Sequence, residues 1–365
     1  HQLGYRNAGP LGNHLGDVVL GNFLTQQGLV AAAGIECLFF GRQLLVQLRQ
    51  GAVLELGGLV EVTGTRGLLR FELRRLDGLL DTTDGAECLL FLLPLRAHAG
   101  GLFFQIGQLA DLIMLDTRLQ GRDEQLDYQR DIAQAGSPEA FVNDLLMNPH
   151  RTILGADQEN WLASQLADSK DRGAIWQVIG QQVLMGKLIT PLIPKETLDA
   201  LDLADRYRPR LERLEQIARA KLPLNLDAWD GYPACRERIH ELFKQFAPNP
   251  VVLAGDTHNA WAFNMQNQQG DEVGVEIGTP GVTSPGMEAY LPAPSQMMRE
   301  AFKASSTELF DLDTTRRGWT EVEMTPTEVT SKWRFVSTIL ESQYQINESE
   351  TLLCKVGDKR FSVRD

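Results

Sequence analysis

In the segment VVLAGDTHNAW, a carboxylate and an imidazole stand two residues apart at the end of an apolar run. Val251 to Ala254 are small or branched, the pattern of a strand buried on both faces, and Gly255 lets the chain turn sharply out of it. Asp256 and His258 then project from the strand's end, with Asn259 adjoining, which is where sites gather in open α/β sheets. Carboxylate and imidazole both ligate hard or borderline cations, so metal binding is one chemistry this turn supports. An Asp and a His closing a turn through local hydrogen bonds give the same letters, and the motif alone leaves both readings open. Histidine is scarce after residue 100, with only His150, His240 and His258. His240 falls within an amphipathic helical pattern and reads as a surface or packing residue; His150, in NPHRT, reads as a loop residue.

Other polar residues sit in similarly apolar or aromatic frames. Asp227, Asp230 and Tyr232 in DAWDGYP form a compact acidic and aromatic cluster, readable as a turn or as a wall of a substrate cleft, with the turn favoured for Asp227. Gln181 and Gln182 end the run WQVIGQQV, where one can face a site and the other serve the backbone. LADLIMLDTR delivers Asp116 and Arg118 to a strand end, as a buried structural pair or, less readily, as a contact to substrate. The chain carries no serine nucleophile elbow, phosphate-cradling P-loop or dinucleotide fingerprint.

The elements that must position these residues read as a mixed α/β layered domain. LADLIMLDTR, AIWQVIGQQV, PNPVVLAGD and DEVGVEIG are short apolar runs ending in turns, hence buried strands. Ser137 and Pro138 open a helix expected to reach about Leu146, and Asp157 is expected to cap a helix with Trp161, Leu162 and Leu166 on one face. Residues 196–221 carry leucines at helical spacing among many charges, broken near Pro209, as helices covering the core or forming a lid. Pro233 starts a helix over CRERIHELFKQF. GWTEVEMT, KWRFVST and LLCKVGDKRFSVR alternate as antiparallel strands do.

The chain has 365 residues, 43% hydrophobic and 23% charged, which places it among globular proteins. Its 48 acidic and 35 basic residues give a net charge of -13, which argues against a broad face for nucleic acid. Four cysteines lie far apart with no CxxC pair, so neither a zinc ribbon nor a dense disulfide framework is encoded. No uninterrupted apolar stretch is long enough to cross a membrane, and the opening HQLGYRNAGP has no signal-peptide pattern.

Residues 1–100 differ from 101–365. They hold 24 Leu and 16 Gly but no Lys, Ser, Trp or Met, whereas the remainder holds all six Trp and all eight Met. Lys and Ser are among the commonest residues of globular chains, so their joint absence is not drift. Three readings compete: a Leu/Gly-rich β-type domain with LLVQLRQ and LVEVTGT as strands, a disordered segment, and a segment translated out of its proper frame. The last ranks first. It predicts that another frame of the same DNA runs into Gly107 as a conventional sequence.

The motifs LADLIMLDTRLQGRD, LGADQENWL, IWQVIGQQV, NLDAWDGYPACRERI, VVLAGDTHNAWAFNM and VEIGTPGVTSPGMEAYL, in that order, resemble the PhoD-type alkaline phosphatases, a branch of the calcineurin-like metallophosphoesterases. The resemblance runs from about Gln105 to Thr338. It implies a four-layer αββα sandwich with metals at the strand ends, hydrolysis of phosphate monoesters and diesters, iron with calcium as cofactors, and a periplasmic or secreted location. Carried over by position, Asp256 and His258 match metal ligands, Asn259 adjoins them in the catalytic turn, and Asp230 and Tyr232 match a segment near the substrate cleft.

Where the family places further ligands upstream of LADLIMLDTR, including a bridging strand-end Asp and a DDHE motif, residues 1–100 offer no DDHE and only His1, His14 and His98. Asp81 and Asp84 in DTTD are a poor substitute. A two-metal site would hold phosphoryl oxygens, generate hydroxide from bound water and stabilise the leaving oxygen. One Asp and one His do not build that centre. The expectation is therefore a metallophosphoesterase whose sandwich is truncated or aberrant on its N-terminal side and whose activity suffers for it. The alternative is a non-catalytic relative serving as an envelope or interaction protein.

Overall fold

A computed structural model describes residues 101–364 apart from 195, 198–207, 290 and 292, together with the backbone of five short strands between residues 30 and 75. The rest of the Leu/Gly-rich segment, and with it the question of its reading frame and of Asp81 and Asp84, lies outside the described residues.

Seven strands form the first sheet: β1 (Leu102–Ile106), β2 (Ala110–Met114), β3 (Trp176–Gln181), β4 (Pro250–Ala254), β5 (Ala260–Gln266), β6 (Glu272–Gly278) and β7 (Leu309–Asp313), in the order β7-β5-β6-β4-β3-β2-β1. β2, β3, β4 and β6 are parallel to their neighbours in that run, and the outer pairings are antiparallel. All six residues of β3 are buried, as expected of a central parallel strand covered on both faces.

The second sheet comprises β8 (Arg317–Met324), β9 (Glu328–Val336), β10 (Ile346–Glu348), β11 (Leu352–Lys355) and β12 (Ser362–Val363), all antiparallel, and the short N-terminal strand backbones continue it from β8. Trp176, Val178, Val251 and Ile277 of the first sheet pack against Val322, Trp333, Phe335 and Leu352 of the second. Two indoles tie the layers. Trp176 Nε1 donates to the Thr325 carbonyl at 2.7 Å and Trp333 Nε1 to that of Gly278 at 3.2 Å.

Five helices of two turns or more are described: α1 (Tyr128–Ala135), α2 (Gly155–Arg172), α3 (Arg208–Arg219), α4 (Pro233–Phe246) and α5 (Ser295–Ser305). Leu162 and Leu166 of α2, Ile239 and Phe243 of α4, and Met298 and Phe302 of α5 share one core with Ile113, Ile179, Val252 and Phe263 of the first sheet. Helix, sheet and sheet give an α/β fold in which three layers of the anticipated four are described. Among the described residues no helix is long and apolar enough to cross a membrane.

Local expectations hold where a single residue decides them. Ser137 Oγ accepts from the Ala140 amide at 3.1 Å and Pro233 opens α4. After one turn from Pro138, however, the chain widens into a π-helix over Phe141–Leu146, with Met147 N donating to the Val142 carbonyl at 2.9 Å. Asp157 lies inside the first turn of α2 instead of capping it. Thr152 Oγ1 takes the capping role, accepting from the Gly155 amide at 2.9 Å.

Candidate active site

β4 ends at Ala254, and the chain reaches β5 through only five residues. Asp256 and His258 both adopt left-handed backbone conformations, with φ of 64° and 60°. Such residues cost on the order of 1–3 kcal/mol each and persist only where their surroundings over-determine them. Thr257 supplies that constraint: its amide donates to the Gly255 carbonyl at 2.8 Å, its hydroxyl donates to the Asn259 carbonyl at 3.1 Å, and it accepts from Trp261 Nε1 at 2.9 Å. Both side chains are thereby held outward, with Asp256 exposed and His258 partly so.

His258 Nδ1 lies 2.9 Å from the Pro285 carbonyl. A carbonyl only accepts, so Nδ1 carries the hydrogen and the lone pair falls on Nε2. A ligating histidine is oriented in this way, with its second nitrogen bonded to a backbone carbonyl. Asn259 is buried, 2% exposed, and its Oδ1 accepts from the Met287 amide at 3.2 Å. It braces the TPGVTSPG loop against the turn.

Arg118 arrives from the other side. Its Nη2 is ion-paired with Asp256 Oδ2, while Nη1 reaches both oxygens of Asp227 at 2.8 and 2.7 Å. Arg122 Nη2 also bonds Asp227, at 2.6 Å. Two carboxylates and two guanidiniums thus alternate, from Asp256 through Arg118 and Asp227 to Arg122. The structure departs from the expected Asp116 and Arg118 pair: Asp116 Oδ1 folds back to accept the amides of Arg118 and Leu119, at 2.8 and 2.9 Å, and the Arg118 side chain crosses to Asp256. Asp227 likewise is more than a turn residue, since it anchors both arginines.

Asp230 and Tyr232 are buried: Asp230 turns to Arg236, and Tyr232 packs beneath Arg122, the partner of Asp227. Asp230 is 4% exposed, with one oxygen 2.6 Å from Arg236 Nη1 and the other accepting the Leu188 amide at 2.8 Å. The Tyr232 ring is buried with Arg122 and Arg151 over it at 5.0 and 4.8 Å, and its hydroxyl donates to the Asp123 carbonyl at 2.9 Å. Gln181 accepts from Trp229 Nε1 at 2.8 Å, and Gln182 serves backbone. His240 is a packing histidine, fully buried in α4, and His150 lies in an exposed loop.

As a cation site the donors are suitable in kind, a carboxylate and an imidazole Nε2 on one turn, but they are half a set. Among the described residues no group of three or more His, Cys, Asp or Glu side chains is gathered to hold a metal ion.

This α/β sandwich, with its Asp and His on the turn between β4 and β5, has the build of a phosphatase domain. The chain belongs to the PhoD-like phosphatase family, whose pattern matches residues 95–333. It is similar to alkaline phosphatase D of Bacillus subtilis (strain 168), with 33% identity over 164 residues, which is 44% of this chain and 21% of that relative. It also superposes on a solved structure of PhoD with a TM-score of 0.53 at 23% identity, covering 73% of this chain and 44% of that one, a likeness of fold. The chain therefore spans less than half the length of either.

Proposed function

We propose that this chain is built to hydrolyse phosphate monoesters and diesters at the mouth of the Gly255–Asn259 turn. The observation that carries the reading is the held geometry of Asp256 and His258, both on left-handed backbone of one short turn, with Arg118 brought to Asp256. Membership of the PhoD-like phosphatase family supports the reaction class.

Asp256 and His258 Nε2 would be two ligands of a divalent cation, iron or calcium by the resemblance above. When bound, such an ion supplies positive charge for the phosphoryl oxygens and an acidified water. The chain's own residues do the rest. The Pro285 carbonyl fixes the His258 tautomer, so that in the neutral ring the lone pair lies on Nε2. Arg118 carries a planar fork of donors that suits phosphoryl oxygens; Asp227 holds Nη1, and Nη2, here paired with Asp256, is the arm that would turn to substrate once a cation takes Asp256. Asn259 fixes the TPGVTSPG loop through Met287.

With only half a ligand set gathered among the described residues, the second cation binds weakly and turnover of this chain is low. The substrate is a small phosphate ester, and the location is outside the cytoplasm. The test is to express the chain, measure its bound iron and calcium, and follow the release of nitrophenol from nitrophenyl phosphate. Turnover that is lost in Asp256→Asn supports the reading. Folded protein without turnover or metal would favour the non-catalytic envelope or interaction protein, the reading that the incomplete ligand set favours.

A further inference from the structure

We propose that Gln182 is a positioning residue for this phosphate-ester site, holding Arg118 in place by gripping the backbone just before it. The inference rests on the function proposed above.

β2 leaves the sheet ladder at Leu115, whose amide makes a last bond to the Gly180 carbonyl at 2.8 Å. From there to Arg118 the chain has no strand beside it, and two glutamine amides take the strand's place. Gln158 of α2, 1% exposed, accepts from the Asp116 amide at 2.7 Å and donates to the Asp116 carbonyl at 2.8 Å. Gln182, just past β3, accepts the amide and the hydroxyl of Thr117 at 2.7 and 2.6 Å and donates to the Leu115 carbonyl at 2.8 Å. Arg122 takes the Thr117 carbonyl at 3.0 Å.

Every polar group of Thr117, a fully buried residue, is therefore engaged, and the Arg118 amide is bound by Asp116. The orientation of Arg118 follows from the fixed peptide before it. Gln182 must accept and donate at once, which an amide does and a carboxylate or thioether does not. Its neighbour Gln181 turns to the opposite face, toward Trp229, as strand alternation requires.

The test is a double-mutant cycle in the full chain, reading kcat and KM for nitrophenyl phosphate and the inhibition constant of inorganic phosphate, with thermal melting as the measure of folding. Gln182→Met, near in size but without hydrogen bonds, is expected to raise KM and the phosphate inhibition constant about tenfold with kcat changed less, because a small misplacement of a binding group is costly. In an Arg118→Gln background the same change is expected to alter these constants less than about twofold, since coupled residues are non-additive. If Gln182→Met does not fold, Thr117→Val, which removes only the hydroxyl bond, must show a smaller shift of the same sign and the same non-additivity. Equal effects in both backgrounds, or folded variants with unchanged constants, overturn the inference and leave the proposed function standing. A folded wild-type chain that neither turns over nitrophenyl phosphate nor binds phosphate overturns both.

Discussion

Arg236 and Asp230 meet at 2.6 Å in the interior, with side-chain exposures of 11% and 4%. Burial raises the Asp230 carboxyl above the usual carboxylate range, and Arg236 opposes the rise. The pair is a structural strut. Asp230→Ala leaves a buried guanidinium without its partner and the Leu188 amide without an acceptor, and should lower unfolding free energy by about 3–5 kcal/mol in denaturant titrations. A variant of unchanged stability whose KM rises would instead make Asp230 a substrate contact.

Stability should be greatest on a plateau between about pH 4.5 and 6.5. Burial pushes Glu276, which accepts the amides of Met185 and Gly186, up to about 8 from 4.5. The folded state then holds a proton that the unfolded state releases, so its contribution is whole below pH 4.5 and is lost as pH rises through 8. Burial, with Arg236 nearby, pushes His240 down to about 3 from 6.5. Here the unfolded state takes the proton first, so stability is lost as pH falls from 6.5 toward 3. Between the two outer limbs the opposing slopes offset. Melting curves across pH 3–9 should lose the alkaline limb in Glu276→Gln and the acid limb in His240→Phe.

At Asp256, asparagine is the informative substitution, because it tolerates the left-handed backbone that most residues resist. Asp256→Asn should therefore melt within a few degrees of wild type while losing bound metal and about a hundredfold in kcat/KM. His258→Asn, for the same backbone reason, should behave alike. Unchanged metal content in both variants would place the cation elsewhere.

A methyl group at Gly286 would lie 2.4 Å from Asn259 Nδ2 and 2.9 Å from Glu288 Oε2. Gly286→Ala must push Asn259 aside and loosen its hold on Met287. The expected result is a stability loss of about 1–3 kcal/mol in urea titrations, with turnover falling in the same preparation.

The four buried strands β2, β3, β4 and β6 and the turn after Val251–Ala254 are legible because each is specified locally, by an apolar run and a turn residue, whereas their order in the sheet is not. Pro233 and Ser137 are legible for the same reason. The partners of Arg118 were not: Asp227 and Asp256 lie 109 and 138 positions away, and no local spacing encodes such pairings. The burial of Asp230 and Tyr232 is not legible, because an acidic and aromatic cluster looks the same whether it lines a cleft or fills an interior. Arg236, the partner that decides it, lies six positions along in the first turn of α4.

Neutral amides grip the peptide ahead of Arg118. Gln158 and Gln182 neither gain nor lose protons in water, so their grip on this peptide does not depend on a protonation state of their own. Two amide side chains thus fix the main chain from Leu115 to Thr117, and two carboxyl side chains, Asp116 and Asp227, fix the amide and the guanidinium of the Arg118 that follows, a division of labour between main chain and side chain.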